Sequence, residues 1–215
     1  MNFFNRLQII FKKPKVVIVS GLAKKEAQEA IFAVLKIHFK MGQEVILYLN
    51  QGDYQEMRFL MKHSKLAVLV VTHMGEIPLE RELFSGLEQD VLEVGKLIES
   101  PFPYLVLNSD DETVMNLRDK NQAKSLTFGL AARADLRATD LVVSEDSTNF
   151  KINYEGNSVP IWLPSSFGKE AIYSALVAAG VGEALGLNLI EISQALKNYQ
   201  PLTKEEKRDN VENSV

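Results

Sequence analysis

The stretch Val16-Val17-Ile18-Val19-Ser20-Gly21-Leu22-Ala23-Lys24-Lys25-Glu26-Ala27 joins a short apolar run to a helix-length amphipathic segment through one glycine. Such a run is typical of a buried parallel strand, and a phosphate-binding loop occupies the same position between strand and helix. That loop needs a second glycine, a lysine and a Ser/Thr hydroxyl for Mg²⁺. Here only Gly21 and a lysine are present, and Glu26 puts a negative charge where the hydroxyl would lie. The position of the loop is kept, but most of its chemistry is not.

The alternation of short apolar runs and amphipathic segments continues along the chain, which predicts an α/β fold with a mostly parallel sheet and helices on both faces. The predicted strands lie near 15–20, 44–49, 66–72, 103–108 and 124–129. The predicted helices lie near 24–40, 54–63, 79–98 and 111–120. Ligands of such sheets bind at the carboxyl ends of the strands. Residues 21–25, 50–53, 73–76 and 108–111 should meet at that edge.

After residue 138 the pattern changes to apolar and polar residues in alternation, which predicts a small antiparallel sheet near 139–163 with one buried face. The stripe Phe150, Ile152 and Tyr154 belongs to its core, whereas Trp162 is out of phase with that stripe. We expect Trp162 to be exposed and regard it as a candidate contact for a partner. A helix rich in small residues follows Pro164, and a last helix spans about 189–198. The charged segment 203–215 is predicted to be disordered.

The first thirteen residues are predicted to form a separate helical segment. Its apolar residues are followed by a basic end at Lys12, Lys13 and Lys15. Such a helix could lie on a membrane surface or pack on the edge of the sheet. We favour packing on the sheet, because so short a stretch binds membranes weakly.

Composition excludes several classes of protein. A net charge of −4 over 215 residues offers no electrostatic footprint for nucleic acid, and the absence of cysteine excludes disulfides, thiolate metal sites and a cysteine nucleophile. No apolar run reaches the roughly 18 to 20 residues that a membrane helix needs, and no signal-peptide pattern is present. We therefore expect one cytoplasmic domain without a transmembrane segment.

The order of these segments from about Pro14 to Leu202 resembles the central, ATP-binding domain of the Mur ligases, which add amino acids to peptidoglycan precursors. The resemblance rests on several segments that follow one another with the family's spacing. They are Lys13 to Gly21, Glu29 to Leu35, Leu66 to Glu80, Leu105-Val106-Leu107-Asn108-Ser109-Asp110-Asp111, Thr127-Phe128-Gly129 and Leu163 to Ala175. The resemblance implies a fold like that of P-loop NTPases.

The chain departs from the family pattern at the residues that hold phosphate and Mg²⁺. Lys25, or Lys24 in the alternative register, falls on the phosphate lysine, and both registers lose the second glycine and the hydroxyl. Tyr48 replaces a metal-binding glutamate, and Pro78 replaces a metal-binding histidine. Further departures are His73 for an asparagine, Glu170-Ala171 for a His-Asn pair, and Ser174 for a second asparagine. Without such ligands Mg²⁺ cannot bridge the phosphates, so we expect no Mg²⁺ site and no catalytic residues.

By resemblance, the nucleotide contacts that remain are Gly21, Lys24, Lys25, Asn108 and Asp111, with ATP or ADP as a weak ligand. Local alternatives exist for Asp111 and for the two lysines. Ser109, Asp110 and Asp111 could cap the next helix, which we favour, and the two lysines could be an exposed pair on a first helical turn. His73 with Glu76 suggests a metal site or an acid–base pair, but a polar loop explains them more simply.

We expect a degenerate, stand-alone Mur ligase central domain, a non-catalytic binding or assembly module related to cell-wall precursor synthesis. The chain matches the central domain alone, so a UDP-sugar is not expected as a substrate, and an unidentified protein is expected as a partner. One alternative is an ATP-binding amide ligase that works with partner subunits. The other is a nucleotide sensor that needs no metal, in which replacing the exposed Lys24 or Lys25 would abolish binding without affecting stability.

Overall fold

The computed structural model describes residues 3–75, 85–99, 103–119, 124–144, 147–164 and 168–199. The strands are β1 (Lys15–Ser20), β2 (Val45–Leu49), β3 (Leu66–Val71), β4 (Pro103–Asn108), β5 (Ser125–Gly129), β6 (Leu136–Val143), β7 (Ser147–Tyr154) and β8 (Asn157–Pro164). The helices are α1 (Phe3–Lys12), α2 (Lys24–His38), α3 (Tyr54–Lys62), α4 (Ser85–Ile98), α5 (Glu112–Asp119), α6 (Gly168–Leu185) and α7 (Leu189–Leu196). The predicted strands and helices are all present, with ends shifted by a few residues. Residues 79–84 of the fourth predicted helix and the predicted disordered segment 203–215 lie outside the described residues.

The eight strands in the described part of the chain form one sheet in the order β2-β1-β3-β4-β5-β6-β7-β8. Neighbours from β2 through β6 pair in parallel, and β7 and β8 continue the sheet in antiparallel fashion. The antiparallel strands predicted near 139–163 are therefore present, but they extend the main sheet. The strand β6 begins at Leu136, earlier than the alternation of apolar and polar residues indicated. Leu136 pairs with Phe128 of β5, and this pairing joins the antiparallel strands to the main sheet.

The helices cover the sheet on both faces. Alternate residues of β1 point to opposite faces and show which helices cover each one. Val17 and Val19 are buried under α2, α6 and α7, whereas Val16 and Ile18 are buried under α3, α4 and α5. Burial on both faces explains why β1 reads as a continuous apolar run. The two cores fix the strand ends from which the site loops emerge.

The small residues of α6 allow close packing. A Cβ atom on Gly180 would lie 2.7 Å from Val106 Cγ1, and one on Gly182 would lie 2.8 Å from Ile192 Cδ1. Helix α6 therefore lies directly against β4 and α7.

The antiparallel extension has one buried and one exposed face. Phe150 and Ile152 of β7 are buried, as predicted, whereas Trp162 of β8 is 55% exposed. Val142 and Trp162 lie on either side of Asn149 in the strand register, so they share the exposed face. The expectation that Trp162 is exposed is confirmed.

Helix α1 packs on the α3 side of the sheet. Ile9 is buried there, and Arg6 forms a 2.9 Å ion pair with Glu56 of α3. Within the part of the chain that the structure describes, no helix is both long enough and apolar enough to cross a bilayer.

Candidate functional site

Two cavities open at the carboxyl edge of the parallel strands, where the sequence placed the candidate residues. The larger, about 480 Å³, lies between the first turns of α2 and α6 and is lined in part by Leu22, His73 and Asn108. The smaller, about 320 Å³, lies on the β2 side and is lined in part by Gly21, Lys24 and His73. Leu22 and His73 line both cavities and separate them.

The loop after β1 is short and lies against the end of β3. Gly21 has a φ of 108°, and a Cβ atom there would clash with Thr72 Oγ1 and lie 2.9 Å from the backbone N and O of His73. The backbone N–H of Leu22 donates to the carbonyl of His73 at 2.7 Å. Gly21 is thus required by the loop itself, and the N–H of Leu22 already has a protein acceptor.

Lys24 is held inside the smaller cavity. Its Nζ atom donates to the backbone carbonyl of Asn50 at 2.6 Å, and Asn50 Nδ2 donates in turn to Ser20 Oγ at 2.9 Å. The expectation that Lys24 is exposed is therefore wrong, because its ammonium group reaches across to the end of β2. Lys25 is exposed, as expected, and is not among the described residues that line either cavity.

The charge of the larger cavity is mainly acidic. Its lining contains the carboxylates of Glu26, Asp110 and Glu170, against the ammonium group of Lys169 and the imidazole of His73. Three carboxylates in the lining of one partly enclosed cavity make it unfavourable for a polyphosphate. Two of these acids stand at departures from the family pattern, Glu26 in the first turn of α2 and Glu170 in the first turn of α6.

Asp111 is a buried structural carboxylate, with a side chain only 2% exposed. One of its oxygens accepts the N–H of Val114 at 3.0 Å and so caps α5. The other accepts the N–H groups of Met74 and Gly75 at 2.8 and 3.1 Å. The helix-capping interpretation is confirmed for Asp111, which also binds the loop after β3 to the loop after β4.

His73 pairs with Asp111, a contact that the sequence did not predict. His73 Nδ1 lies 2.6 Å from Asp111 Oδ2, and the His73 side chain is 51% exposed. Because an ionised carboxylate only accepts hydrogen bonds, this geometry places a proton on Nδ1. Glu76, the partner that the sequence suggested, lies outside the described residues. The sequence could have indicated this contact through position alone, because His73 and Asp111 follow the ends of β3 and β4, which are neighbouring parallel strands.

Asp110 does not cap α5, and the prediction that it does is wrong. Its Oδ2 atom accepts the N–H of Leu130 at 2.6 Å and the hydroxyl of Tyr173 at 2.7 Å, and its Oδ1 atom accepts the N–H of Ala131 at 3.1 Å. Burial, and then the hydrogen bond to Asp110, raise the pKa of Tyr173 above its usual value. Asp110 thus joins the end of β4 to α6 across 63 residues of sequence.

Ser109 and Asn108, at the end of β4, also form hydrogen bonds within the protein. Ser109 Oγ donates to the carbonyl of Phe128 at 3.1 Å, so Ser109 is not a helix cap either. Asn108 Oδ1 accepts the N–H of Asp110 at 2.9 Å while Asn108 lines the larger cavity. Of the predicted nucleotide contacts, Gly21, Lys24 and Asn108 border a cavity, Asp111 lies beneath the loops, and Lys25 points to solvent.

At the two positions where the family pattern has metal ligands, this chain has Tyr48 and Pro78 instead. Tyr48 is partly buried and packs against the core on the α3 side, and burial raises the pKa of its phenol. Pro78 lies outside the described residues. Among the residues that the structure describes, no three His, Asp or Glu side chains are grouped closely enough to hold a metal ion.

Comparison with known proteins places this arrangement in a family. The model of the Mur ligase middle domain matches residues 51–182. This chain belongs to the Mur ligase middle-domain family. The matched region begins after β2, so it excludes β1 and the loop that lacks the second glycine and the hydroxyl.

Two relatives illustrate the relationship. A UDP-N-acetylmuramoyl-L-alanyl-D-glutamate–2,6-diaminopimelate ligase of Clostridium acetobutylicum is 27% identical over 67% of this chain and 33% of its own length. A UDP-N-acetylmuramate–L-alanine ligase of Aquifex aeolicus is 25% identical over 86% of this chain and 38% of its own length. The chain thus spans between 33% and 38% of the length of these relatives.

Solved structures show the same fold. MurF from Acinetobacter baumannii superposes with a TM-score of 0.72 at 19% identity, covering 93% of this chain and 48% of that protein. MurF ligase from Thermotoga maritima in complex with ADP gives a TM-score of 0.68 at 17% identity, covering 88% and 50%. At these identities the likeness concerns the fold.

Proposed function

We propose that this chain is a Mur ligase middle domain that has lost ATP-driven ligation and acts as a binding or assembly module in the synthesis of cell-wall precursors. The observation that carries the proposal is Glu26. It stands in the first turn of α2, where the phosphate-binding loop supplies the hydroxyl for Mg²⁺, and it lines the larger cavity. A carboxylate there repels the phosphates that the loop would otherwise hold.

Three further features support this loss. Lys24 Nζ donates to the Asn50 carbonyl, so a phosphate must compete with an internal hydrogen bond. Asp111 is occupied by Val114, Met74, Gly75 and His73, so it has little capacity left for a ligand. Tyr48, partly buried against the α3-side core, stands in place of the carboxylate ligand that the family pattern has near the end of the second strand.

The link to cell-wall precursors comes from the family to which the chain belongs, and the partner of the module is a protein in this proposal. The exposed face around Trp162 and Val142 is the surface we assign to that partner, since two large apolar side chains there are more than half exposed. Replacing Trp162 with Ser would then abolish capture of the partner while leaving the free energy of unfolding nearly unchanged.

The decisive experiment measures nucleotide binding and hydrolysis together. The purified 215-residue chain is titrated with ATP and with ADP by calorimetry, with and without Mg²⁺, and phosphate release is assayed in the same samples. The expected result is no phosphate release and no Mg²⁺-dependent gain in affinity. Hydrolysis that depends on Mg²⁺ and disappears in a Lys24→Ala, Lys25→Ala double variant would overturn the proposal.

A charge variant sharpens this test. Glu26→Gln keeps the size of the side chain and removes its charge, so ATP affinity should rise by roughly tenfold if repulsion is the obstacle. Glu170→Gln removes a second carboxylate from the same cavity and should act in the same direction. Unchanged affinity in both variants would show that the cavity does not receive phosphates.

A second candidate function is metal-independent binding of ADP or ATP. It is favoured by Lys24 and His73, which line the smaller cavity beside the first turn of α2. Calorimetric binding that is equal with and without Mg²⁺, and that is lost in Lys24→Ala, would support this function over the first.

A further inference from the structure

Helix α1 turns part of its apolar surface away from the protein. Ile9 is buried against the α3 side of the core at 6% exposure, whereas Ile10 and Phe11 are 36% and 81% exposed. Each residue advances an α-helix by about 100°, so Phe11 lies almost opposite Ile9, on the same face as Leu7. The apolar pattern of the sequence continues towards the amino terminus at Phe3 and Phe4.

The orientation of α1 is fixed by contacts on its inner side. Arg6 pairs with Glu56 at 2.9 Å, and its guanidinium lies 4.9 Å from the centre of the Phe59 ring. Glu56 is buried, so this ion pair is partly desolvated and constrains the rotation of the helix. With that side anchored on α3, Ile10 and Phe11 are left exposed, and Leu7 on the same face is half-buried.

Lysines surround the carboxyl end of the same helix. Lys12 and Lys13 are exposed, and the backbone N–H of Lys65 donates to the carbonyl of Pro14, which brings exposed Lys65 next to them. The chain as a whole carries a net charge of −4, so this basic group is a local feature. An exposed apolar stripe that ends in lysines is the arrangement of helices that lie in a bilayer interface.

We propose that α1 docks on an anionic lipid bilayer, with Leu7, Ile10 and Phe11 inserted at the boundary of headgroups and acyl chains and Lys12 and Lys13 on the headgroups. Charge complementarity selects this occupant over a second copy of the chain. A second copy of α1 offers these lysines no carboxylate, because the helix contains no Asp or Glu, whereas an anionic surface attracts them. One short helix gives weak and reversible attachment, so binding is expected to depend on salt.

Co-sedimentation with vesicles tests the proposal. The full chain is mixed with vesicles of phosphatidylglycerol and, separately, of phosphatidylcholine, and the partition coefficient is measured at low and high salt. We expect binding to phosphatidylglycerol that weakens as salt rises, and much weaker binding to phosphatidylcholine. Phe11→Ser should lower the partition coefficient roughly tenfold, and so should the pair Lys12→Gln and Lys13→Gln.

Phe32→Ser is the matched control, because Phe32 is 45% exposed on α2, which covers the opposite face of the sheet. It should leave the partition coefficient unchanged. Urea denaturation checks that Phe11→Ser folds, which its high exposure leads us to expect. The proposal is overturned by absence of binding to phosphatidylglycerol, by equal losses in Phe11→Ser and Phe32→Ser, or by a dimer in light scattering that Phe11→Ser dissolves.

Discussion

The loops after β1 and β4 lie at the same edge of the sheet, on either side of β3, but are held in place by different means. The loop after β1 is fixed by backbone contacts, through the close approach of Gly21 to β3 and the hydrogen bond from Leu22 to His73. The loop after β4 is fixed by side chains, through the carboxylates of Asp110 and Asp111.

This difference explains which family segment the chain has kept. The segment Leu105 to Asp111 follows the family pattern closely, and its acidic side chains stabilise the fold whether or not a ligand binds. In the loop after β1 the fold depends on Gly21 and on backbone atoms, so the residues that follow could change without loss of the structure. The family pattern in the loop after β4 is therefore explained by the stability of the fold. It does not indicate that the loop binds a nucleotide.

The largest expected effect is that of Gly21→Ala, which breaks the backbone-held loop. Its positive φ is unfavourable for alanine, and the new Cβ atom would collide with Thr72 and the His73 backbone. We expect a loss of about 3 kcal/mol or more in the free energy of unfolding, measured with urea.

Gly52→Ala separates the two causes of that loss. Gly52 also has a positive φ, of 92°, but nothing lies within 4 Å of its added Cβ atom, so only the backbone term of about 1 kcal/mol remains. If the two variants lost equal stability, the loop after β1 would not lie against β3 as described.

The next largest effect is expected from Asp111→Ala, which removes side-chain contacts that hold the loop after β4 in place. The change removes the cap of α5 and leaves the N–H groups of Met74 and Gly75 without their acceptor. The free energy of unfolding should fall by about 2 to 3 kcal/mol. Glu112→Ala, at the exposed neighbouring position, should stay within about 0.5 kcal/mol of the wild type, and an equal effect of both changes would contradict the assigned role of Asp111.

The sequence was sufficient for the strands, because β1 and β3 to β5 are apolar runs bounded by turns. For the cap of α5 it offered three candidates, Ser109, Asp110 and Asp111, of which only Asp111, directly before the helix, makes the capping hydrogen bond. It was also sufficient to place Gly21, His73 and Asn108 at one edge, since parallel strands share a carboxyl end. These inferences use residues that are close in sequence or a general rule of topology.

The contacts that the sequence did not reveal join residues far apart. The bonds from Lys24 to Asn50 and from Tyr173 to Asp110 depend on the register between strands and on helix position, which no local pattern encodes. The parallel pairing of β5 with β6 was missed for a related reason. Asp135 accepts hydrogen bonds from the N–H and hydroxyl of Thr127 and so aligns the two strands, but it reads in sequence as an ordinary loop acid.

A smaller effect is expected from Tyr173→Phe, which removes one of the donors to Asp110. At neutral pH the loss should be about 1 to 2 kcal/mol, because the lost bond joins a hydroxyl to a carboxylate. The pKa of Tyr173 is raised above the unfolded value of 10.0, so the folded state holds the phenolic proton more tightly than the unfolded state does. That contribution is complete below pH 10 and is lost as the pH rises above it.

Urea denaturation from neutral pH to about pH 11.5 measures this dependence. Stability of the wild type should decline above pH 10, and the decline should be shallower in Tyr173→Phe. Parallel curves for the two proteins would show that the phenol of Tyr173 does not make the contact with Asp110 in solution.

The smallest effect compares Lys24 with Lys25, which are adjacent in sequence but differently used. Lys24→Ala removes the bond to the Asn50 carbonyl and should lower the free energy of unfolding by about 1 kcal/mol, since the ammonium group is only partly buried. Lys25→Ala removes an exposed lysine and should change it by less than about 0.5 kcal/mol. Equal values would mean that Lys24 is not tied to β2 and is as available to a phosphate as Lys25. A clear difference would show that the bond from Lys24 to the Asn50 carbonyl stabilises the fold. Binding of a phosphate to Lys24 must then first break that bond.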